Sequence, residues 1–463
     1  MGFLPHQENE RYFEEISSVN KFEVLISLII AYCVGYLAYT LHYKAFLGVS
    51  LVVFLLIYSL INTRQAIYLV LFLLPLRLFL FGAPVVYGIP FDAAALLNLY
   101  IPFWAVAYVL LRRKTGSIDA VGITYFIFVV ICGISVLYTD DKLNALKYLL
   151  RLSTPMCFYI IVKSELDEYG MNDTIFRVIC LSLVVPLCFS IFQILNPALL
   201  GETSRISGTF GHPNPFSFLL LLVWIILCVR TFDAAAKNRK MLYFLATGVI
   251  TVFIILTYCR ITWIGLFASF FLISIHYRKM IPFAGFVAAG VFLFIFNLFS
   301  VQDRVSSAVL FAQRGDLYSL ESSIGWRFVV WDMTFREIIE SPLWGYGLRS
   351  HFSILRSLYG QATSVHNSYL EILYDVGLIG FSVFMTFIFF LMRTYMRLAQ
   401  TIRSGLDRRN TKRLVVTFGA LLVSYVIILV SDNLLEYYEI SIYYWTVFAV
   451  AQKLYLSAKA DEN

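Results

Sequence analysis

The sequence predicts an all-α protein that crosses a membrane many times. Hydrophobic residues make up 60% of the 463 residues, only 14% are charged, and the mean hydropathy is +0.78. Soluble domains carry about 25% charged residues. Apolar segments close to the ~20 residues that cross the hydrocarbon core recur along almost the whole chain. Because a segment in lipid must satisfy its own backbone hydrogen bonds, these segments are predicted to be helices.

About fourteen apolar segments are long enough to span a membrane, and we assign them all to one integral membrane domain over 1–463. The chain has no internal repeat at a fixed period and no low-complexity linker that would divide it. The predicted spans lie near 23–40, 45–62, 66–82, 93–111, 120–138, 147–163, 174–194, 215–231, 241–258, 261–276, 282–300, 368–392, 414–431 and 440–457.

Lysine and arginine are distributed unevenly among the loops between these segments. They concentrate in 112–114, 230–240, 278–279 and 393–413. Because short cytoplasmic loops carry an excess of basic residues, these loops and both termini are predicted to face the cytoplasm. Loop 164–173 is acidic, although the alternation of spans assigns it to the same side. The net charge of +7 therefore reflects membrane topology, and no basic–aromatic motif suggests a nucleic-acid partner.

The longest hydrophilic stretch, 301–366, is predicted to form a large external loop. Apolar residues recur at helical spacing over 323–340, which predicts an amphipathic helix on the outer membrane–water boundary. Asp332, Arg336 and Glu337 are assigned to its solvated face, and a turn follows at 342–347. The loop contains no lysine but six arginines, which are Arg304, Arg314, Arg327, Arg336, Arg349 and Arg356.

His366 closes this loop at the point where the next apolar segment begins. An imidazole titrates near neutral pH and can take a proton from a hydroxyl. Arginines can hold a diphosphate through forked hydrogen bonds. A histidine beside planar cations at a membrane edge therefore favours transfer chemistry on a lipid-linked diphosphate. The alternative is that His366 only caps or orients the helix that begins at Asn367.

The motif around His366 resembles the signature of the O-antigen ligase and Wzy-type polymerase superfamily. His366-Asn367 is followed after nine residues by Gly377 and then by Gly380. These glycines are predicted to place the helix and to do no chemistry. Upstream motifs follow in family order over roughly 200–380, namely Gly208-Thr209-Phe210 with Pro213-Asn214-Pro215, Cys259-Arg260, Arg327 with Trp331, and 342–347.

The resemblance implies a membrane glycosyltransferase of the GT-C type in the bacterial cytoplasmic (inner) membrane, with its active face outside the cytoplasm. The implied donor is an oligosaccharide linked to undecaprenyl diphosphate. We expect His366 to act as general base on the acceptor hydroxyl while Arg260 and Arg327 hold the diphosphate leaving group. Family analogy suggests inversion without a metal or a covalent intermediate.

Two branches of the superfamily differ in the acceptor. A polymerase transfers to another lipid-linked repeat unit, possibly with a chain-length regulator as partner, whereas a ligase transfers to lipid A–core or another glycan. We favour the polymerase. A second alternative is a non-enzymatic transporter of lipid-linked glycans, which would explain the spans and the arginines at membrane depth. It explains less well why one external loop collects arginines and ends at His366-Asn367, and we find no paired repeats of the kind many transporters show.

Several further residues are assigned to substrate binding, each with a structural alternative. Arg205 is a second contact for the substrate, and Asn214 either binds substrate or starts the helix beside Pro215. Asn367 is assigned to substrate binding beside His366. Lys147 and Arg151 lie one helical turn apart and either bind an anionic group or anchor their helix. Arg260 has the alternative of a snorkelling interfacial cation, and His212 and His351 are more often loop histidines without a role.

No metal, ATP or other cofactor is expected. Asp140-Asp141 lacks the partner ligands of a metal site, and the sequence contains no phosphate-binding glycine loop, nucleophile elbow or His-Glu-x-x-His motif. Seven cysteines without Cys-x-x-Cys spacing indicate small buried residues in apolar spans.

Overall fold

The structure is a computed structural model that describes residues 43–76, 85–86, 89–90, 93–112, 119–166, 171–200, 205–286, 323–352, 364–403 and 409–462. Several predictions made above lie outside these residues: the span near 23–40, most of the span near 282–300, the burial expected of the first cysteine (Cys33), and the loop residues Arg304, Arg314 and Arg356. Within the described residues the fold is helical, apart from a two-stranded hairpin of Val85–Val86 and Ile89–Pro90.

Fourteen helices are labelled here in chain order. The first seven are α1 (Tyr43–Ile61), α2 (Thr63–Leu73), α3 (Ala93–Arg112), α4 (Ala120–Ser135), α5 (Lys142–Glu165), α6 (Met171–Ser182) and α7 (Val184–Leu195). The others are α8 (Pro213–Asp233), α9 (Lys237–Leu256), α10 (Arg260–Tyr277), α11 (Ser323–Glu340), α12 (Ser368–Arg403), α13 (Arg409–Ser431) and α14 (Tyr438–Glu462). Residues 280–286 are also helical, and short 3₁₀ turns occupy Leu74–Leu76, Pro197–Leu200, Gly208–Phe210 and Leu434–Glu436.

In the described part of the chain, seven helical segments are long and apolar enough to cross a membrane. They are α5, the continuous segment α6–α7, α8, α9, α10, α12 and α13. The fold is therefore that of a polytopic helical membrane protein, while the expected fourteen spans and the GT-C-like arrangement stay predictions. Of the segment predicted near 66–82, the structure describes α2 and the 3₁₀ turn at Leu74–Leu76, and residues 77–82 lie outside the described residues.

The centre of the molecule is an aromatic cluster around Trp445 on α14. Its ring lies 4.4 Å from that of Tyr125 on α4, 5.5 Å from Tyr159 on α5 and 5.2 Å from Phe387 on α12. Residues 438–451 are almost all buried. Because α14 is covered on every side by other helices, it carries Ser441, Thr446 and Gln452 in its interior positions and falls outside the seven apolar spans.

One end of the bundle collects basic residues. Asp173, at the start of α6, accepts hydrogen bonds from Arg413 at 2.7 Å and from Arg230 at 3.2 Å. Lys412 lies 5.1 Å above the ring of Tyr277 at the end of α10. Loops that the charge distribution assigns to one side therefore do lie together. Asp173, one of the acidic residues that made loop 164–173 look discordant, is the partner of two arginines at the ends of neighbouring helices, Arg230 on α8 and Arg413 on α13.

A candidate active site at the other end of the bundle

The opposite end brings together four segments that are distant in sequence. The hydroxyl of Ser368, at the start of α12, donates to the backbone oxygen of Asp432 at 2.9 Å. Arg327 on α11 donates through Nη1 to the oxygen of Ser431 at 2.9 Å and also to its hydroxyl. Arg205 Nε donates to the oxygen of Thr257 at 2.7 Å. One site is therefore formed by the loop before α8, the α9–α10 turn, α11, the start of α12 and the end of α13.

His366 lies at the centre of this arrangement. Its backbone has φ of +52°, and the preceding residue is held by a 2.9 Å hydrogen bond from Trp331 Nε1 to the oxygen of Val365. Burial, together with the nearby positive charges of Arg327 and His212, lowers the pKa of the half-buried His366 to about 4. The imidazole is therefore neutral at pH 7.

Asp432 is the residue that sequence reasoning missed, because it belongs to none of the motifs named above. It is fully buried and follows directly on the apolar helix α13. Burial raises its pKa to about 6, against the opposing effects of the Asn433 N–H, Arg327 and Asn214. An acid immediately after an apolar span, facing a loop rich in arginine, is the sequence signal that identifies it.

Asn214 links Asp432 to a second arginine. Its Nδ2 donates to Asp432 Oδ2, and its Oδ1 accepts from Arg205 Nη2 at 3.2 Å. The helix start predicted at 213–215 is confirmed, but Asn214 does not cap it. His212 is the N-cap, because its Nδ1 accepts from the backbone N–H of Asn214 at 3.2 Å. His212, expected to be a loop histidine without a role, therefore orients this helix start.

Arg260 is the exposed first residue of α10, and the helix break predicted at Cys259-Arg260 is confirmed by the turn between α9 and α10. It lies near Arg205. The pKa of Arg205 is lowered mainly by burial, and the charges of Arg260 and Arg327 lower it further. One end of the bundle is therefore positively charged, through Arg205, Arg260 and Arg327. Asp432 is an acidic residue beside them.

Asn367 is the N-cap of α12, since its Oδ1 accepts from the backbone N–H groups of Tyr369 and Leu370, both at 3.1 Å. This is a structural role for a residue that was assigned to substrate binding. Lys147 and Arg151 lie on α5, and no described hydrogen bond or ion pair joins either to the cluster around His366.

The glycines of the motif hold a close backbone crossing. At Gly377, α12 is broken by a residue with φ of +62° and ψ of −170°, and a Cβ there would stand 2.2 Å from the oxygen of Leu343. Gly345 also has positive φ, and its Cβ would lie 2.4 Å from the oxygen of Tyr374. The turn at 342–347 can therefore lie directly on the break in α12. This arrangement agrees with the predicted placing role of the glycines.

A second polar cluster lies beside the first, below the surface. His351, expected to be a loop histidine, is buried, and its Nδ1 lies 3.0 Å from Asp375 Oδ1. Burial lowers the pKa of His351, but Asp375 and Glu371 together outweigh it and raise the pKa to about 9. Ser364 joins the clusters, because its hydroxyl donates to Glu371 and accepts from Asn433 Nδ2.

Comparison with known proteins locates the family likeness on these elements. Residues 242–385 match the family model Wzy_C, described as O-antigen ligase. The match confirms the resemblance over this part of the chain, which carries Arg260, Arg327, His366 and Asn367, and it supports a membrane enzyme of the O-antigen ligase or polymerase type. Arg205, Asn214 and Asp432 lie outside the matched residues. No curated protein matches the chain.

Proposed function

We propose that this protein polymerises oligosaccharide repeat units linked to undecaprenyl diphosphate into a surface polysaccharide. The observation that carries the proposal is the convergence of a neutral, half-buried histidine with three arginines at one end of a membrane-helix bundle. Positive charge at this position matches a lipid-linked diphosphate, whose lipid would lie among or beside the apolar helices. The matched family supplies the reaction class.

The reaction that these residues support is a direct displacement at the anomeric carbon of the donor sugar. The acceptor hydroxyl oxygen forms a bond to that carbon, the bond from the carbon to the diphosphate oxygen breaks, and lipid diphosphate leaves. His366 takes the hydroxyl proton. Because its imidazole is neutral at pH 7, its lone pair is available for this step.

The arginines stabilise the charge that grows on the leaving diphosphate. Arg327 uses Nη1 for its hydrogen bonds to Ser431, and a guanidinium carries five N–H donors, so others can meet phosphate oxygens. Arg205 is held by Thr257 and Asn214, which fixes the direction of its charge. Burial and the nearby positive charges together lower the pKa of His366, and a diphosphate bound here would offset the effect of those charges, which would make the imidazole a stronger base as the complex forms.

Asp432, which is buried, orients Arg205 through Asn214. Its carboxylate accepts from Asn214, which in turn accepts from Arg205, so a buried chain of hydrogen bonds ends on the guanidinium. The backbone oxygens of Ser431 and Asp432 also hold Arg327 and Ser368. The turn after α13 therefore fixes both arginine positions relative to the start of α12.

The second candidate is an O-antigen ligase, which the description of the matched family favours. Incubation of purified protein with a lipid-linked repeat unit separates the two. A ladder of products identifies the polymerase, and a single transfer to an added lipid A–core acceptor identifies the ligase. Absence of any product under both conditions would contradict glycan transfer and favour a transporter.

A further inference from the structure

The buried cluster around His351 has the composition of a metal site. One ligand atom from each of His351, Glu371 and Glu436 lies within 4.8 Å of the others, and His351 Nε2 stands 3.8 Å from Glu371 Oε1. The three residues come from three separate segments: the turn after α11, the first turn of α12, and the 3₁₀ turn before α14. Donors about 2.1 Å from one ion stand roughly 3–4 Å apart, so small movements of ~1 Å would complete the coordination.

Several polar atoms in this cluster have no hydrogen-bond partner among the described residues. They are His351 Nε2, Glu371 Oε2, Glu436 Oε1 and the Oδ1 of the adjacent Asn433. His351, Glu371 and Asn433 are 2–3% exposed, so solvent does not replace the missing partners. A buried polar atom without a partner is destabilising, because it has lost its hydrogen bonds to water and gained none in exchange. Four such atoms in neighbouring residues therefore point to a ligand.

Asp375 prepares the histidine for this ligand. Its two carboxylate oxygens lie 3.0 and 3.1 Å from His351 Nδ1, and they also accept from the backbone N–H groups of Arg349 and His351. A carboxylate can only accept, so Nδ1 donates to Asp375, while Nε2 is directed towards Glu371, and a metal ion bound at Nε2 would take the place of a proton there. A histidine that donates one ring N–H to a carboxylate and binds metal through the other nitrogen is a recurrent arrangement.

The acidic composition of the cluster favours a cation. Three carboxylates, Asp375, Glu371 and Glu436, surround one imidazole, and buried charges in proteins are paired or coordinate metals. A narrow cavity lined by Glu371, Asp375 and Tyr148 adjoins them. A divalent ion would use the ring nitrogen and the carboxylate oxygens that lack hydrogen-bond partners among the described residues.

We infer that His351, Glu371 and Glu436 bind a divalent first-row transition-metal ion, with Zn²⁺ the best match to one imidazole and two carboxylates. Imidazole favours Zn²⁺ over the oxygen-preferring Mg²⁺ and Ca²⁺. The ion is structural, because the site is closed and lies behind the candidate active site. It ties together the loop before α12, α12 itself and the turn before α14. The inference does not depend on glycan transfer.

The test is the metal content and stability of the purified full-length protein. We expect about one Zn²⁺ per chain by elemental mass spectrometry, removal of this ion by prolonged chelation with a fall in unfolding temperature, and recovery on adding Zn²⁺. Co²⁺ added to the stripped protein should give visible absorption bands from the ligand field. The variant Glu436→Gln, at the least buried of the three ligands, should lose the ion.

The matched control is Asp332→Asn, which removes an exposed carboxylate on α11 and should leave the metal content unchanged. The inference would be overturned if the wild-type protein contained no bound metal and its unfolding temperature did not change with chelator or with Zn²⁺. Protons would then be the balancing charge. Equal metal content in Glu436→Gln and wild type would overturn it as well. Transfer activity is assayed separately, so loss of the metal inference leaves the proposed function standing.

Discussion

At the scale of single residues, His366 combines a strained backbone with a neutral ring. Its replacement removes a base without removing a core side chain, because the residue is only half-buried and precedes α12. We expect His366→Ala to lower glycan transfer by about 10²–10⁴-fold. Expression and unfolding temperature should stay close to wild type. His276→Gln is the control, since His276 lies at the opposite end of the bundle, and full activity in His366→Ala would exclude the residue as the base.

The depressed pKa of His366 predicts an unusual pH dependence. Protonation destroys the base, and with a pKa near 4 the free enzyme loses it only below about pH 5. We therefore expect His366 to cause no loss of kcat/KM as the pH falls from 7 to 5, so that any fall there reports Asp432, whose pKa is about 6, whereas an ordinary histidine of pKa ~6.5 would itself have removed most of the activity by pH 5. The contradicting result is a half-maximal point of kcat/KM near pH 6.5 in the wild type that is absent from the His366→Ala variant rescued with imidazole. That result would assign the titration to His366 and contradict the burial argument.

Arginine and lysine are not equivalent at the diphosphate. Arg327→Lys keeps the charge but cannot bond Ser431 and a phosphate together through a planar fork, and Arg260→Lys loses the same geometry. We expect each variant to lower kcat/KM by roughly 10–100-fold, the effect of about 1.5–3 kcal/mol in charge-assisted hydrogen bonds. Arg336→Lys on the same helix as Arg327, in an exposed pair with Asp332, should behave as wild type. Near-normal rates in both test variants would refute the clamp.

At the scale of elements, the crossing of the 342–347 turn over α12 depends on the absence of a side chain. Gly377→Ala would place a Cβ 2.2 Å from the oxygen of Leu343 in a left-handed backbone conformation. We expect a loss of more than about 2 kcal/mol in stability, seen as a lower unfolding temperature in detergent. Gly248→Ala on α9 meets no atom within 4 Å and should be neutral or stabilising by up to about 1 kcal/mol. Similar unfolding temperatures for the two variants would show that the crossing does not matter.

Elements defined by local pattern were predictable from the sequence. Helix α11 occupies the predicted residues 323–340, and α8 starts at the predicted Pro213, because apolar periodicity and proline act within a few residues. The faces of α11 were less predictable. Phe328, Phe335 and Ile339 are exposed, whereas Val330, Thr334 and Ile338 pack inward, which leaves one apolar face for lipid and another for protein.

The parts of the site that could not be predicted are set by tertiary contacts. Asp432 and Asn214 are 218 positions apart, and only the packing of α8 against α13 joins them. His351 looked like a loop histidine because its partner Asp375 lies 24 positions further along the chain, on α12, and only the packing of the turn after α11 against that helix joins them. Patterns in a single sequence predict the helix or loop on which a residue lies, but they do not predict which helix ends are in contact in the folded protein.

At the scale of the whole molecule, two chemically different ends are predicted to face opposite sides of the membrane. Single cysteines at Asp332, near the candidate site, and at Lys279, at the basic end, would be introduced after the native cysteines are replaced. An impermeant thiol reagent added to intact cells should label the cysteine at 332 and leave that at 279 unlabelled until the cells are opened. The reverse pattern would invert the orientation and place the proposed reaction in the cytoplasm.

Helix α14 has a consequence for how the protein is made. Every helix that packs around Trp445 precedes it in the chain, so α4, α5 and α12 enter the membrane before their common partner has been synthesised. Until then Tyr125, Tyr159 and Phe387 face lipid or each other, and the buried hydroxyl of Ser182 awaits that of Tyr443. The helix that these three contact in common is therefore synthesised after all of them. A nascent chain released before residue 438 would be an incomplete bundle and a substrate for membrane proteases.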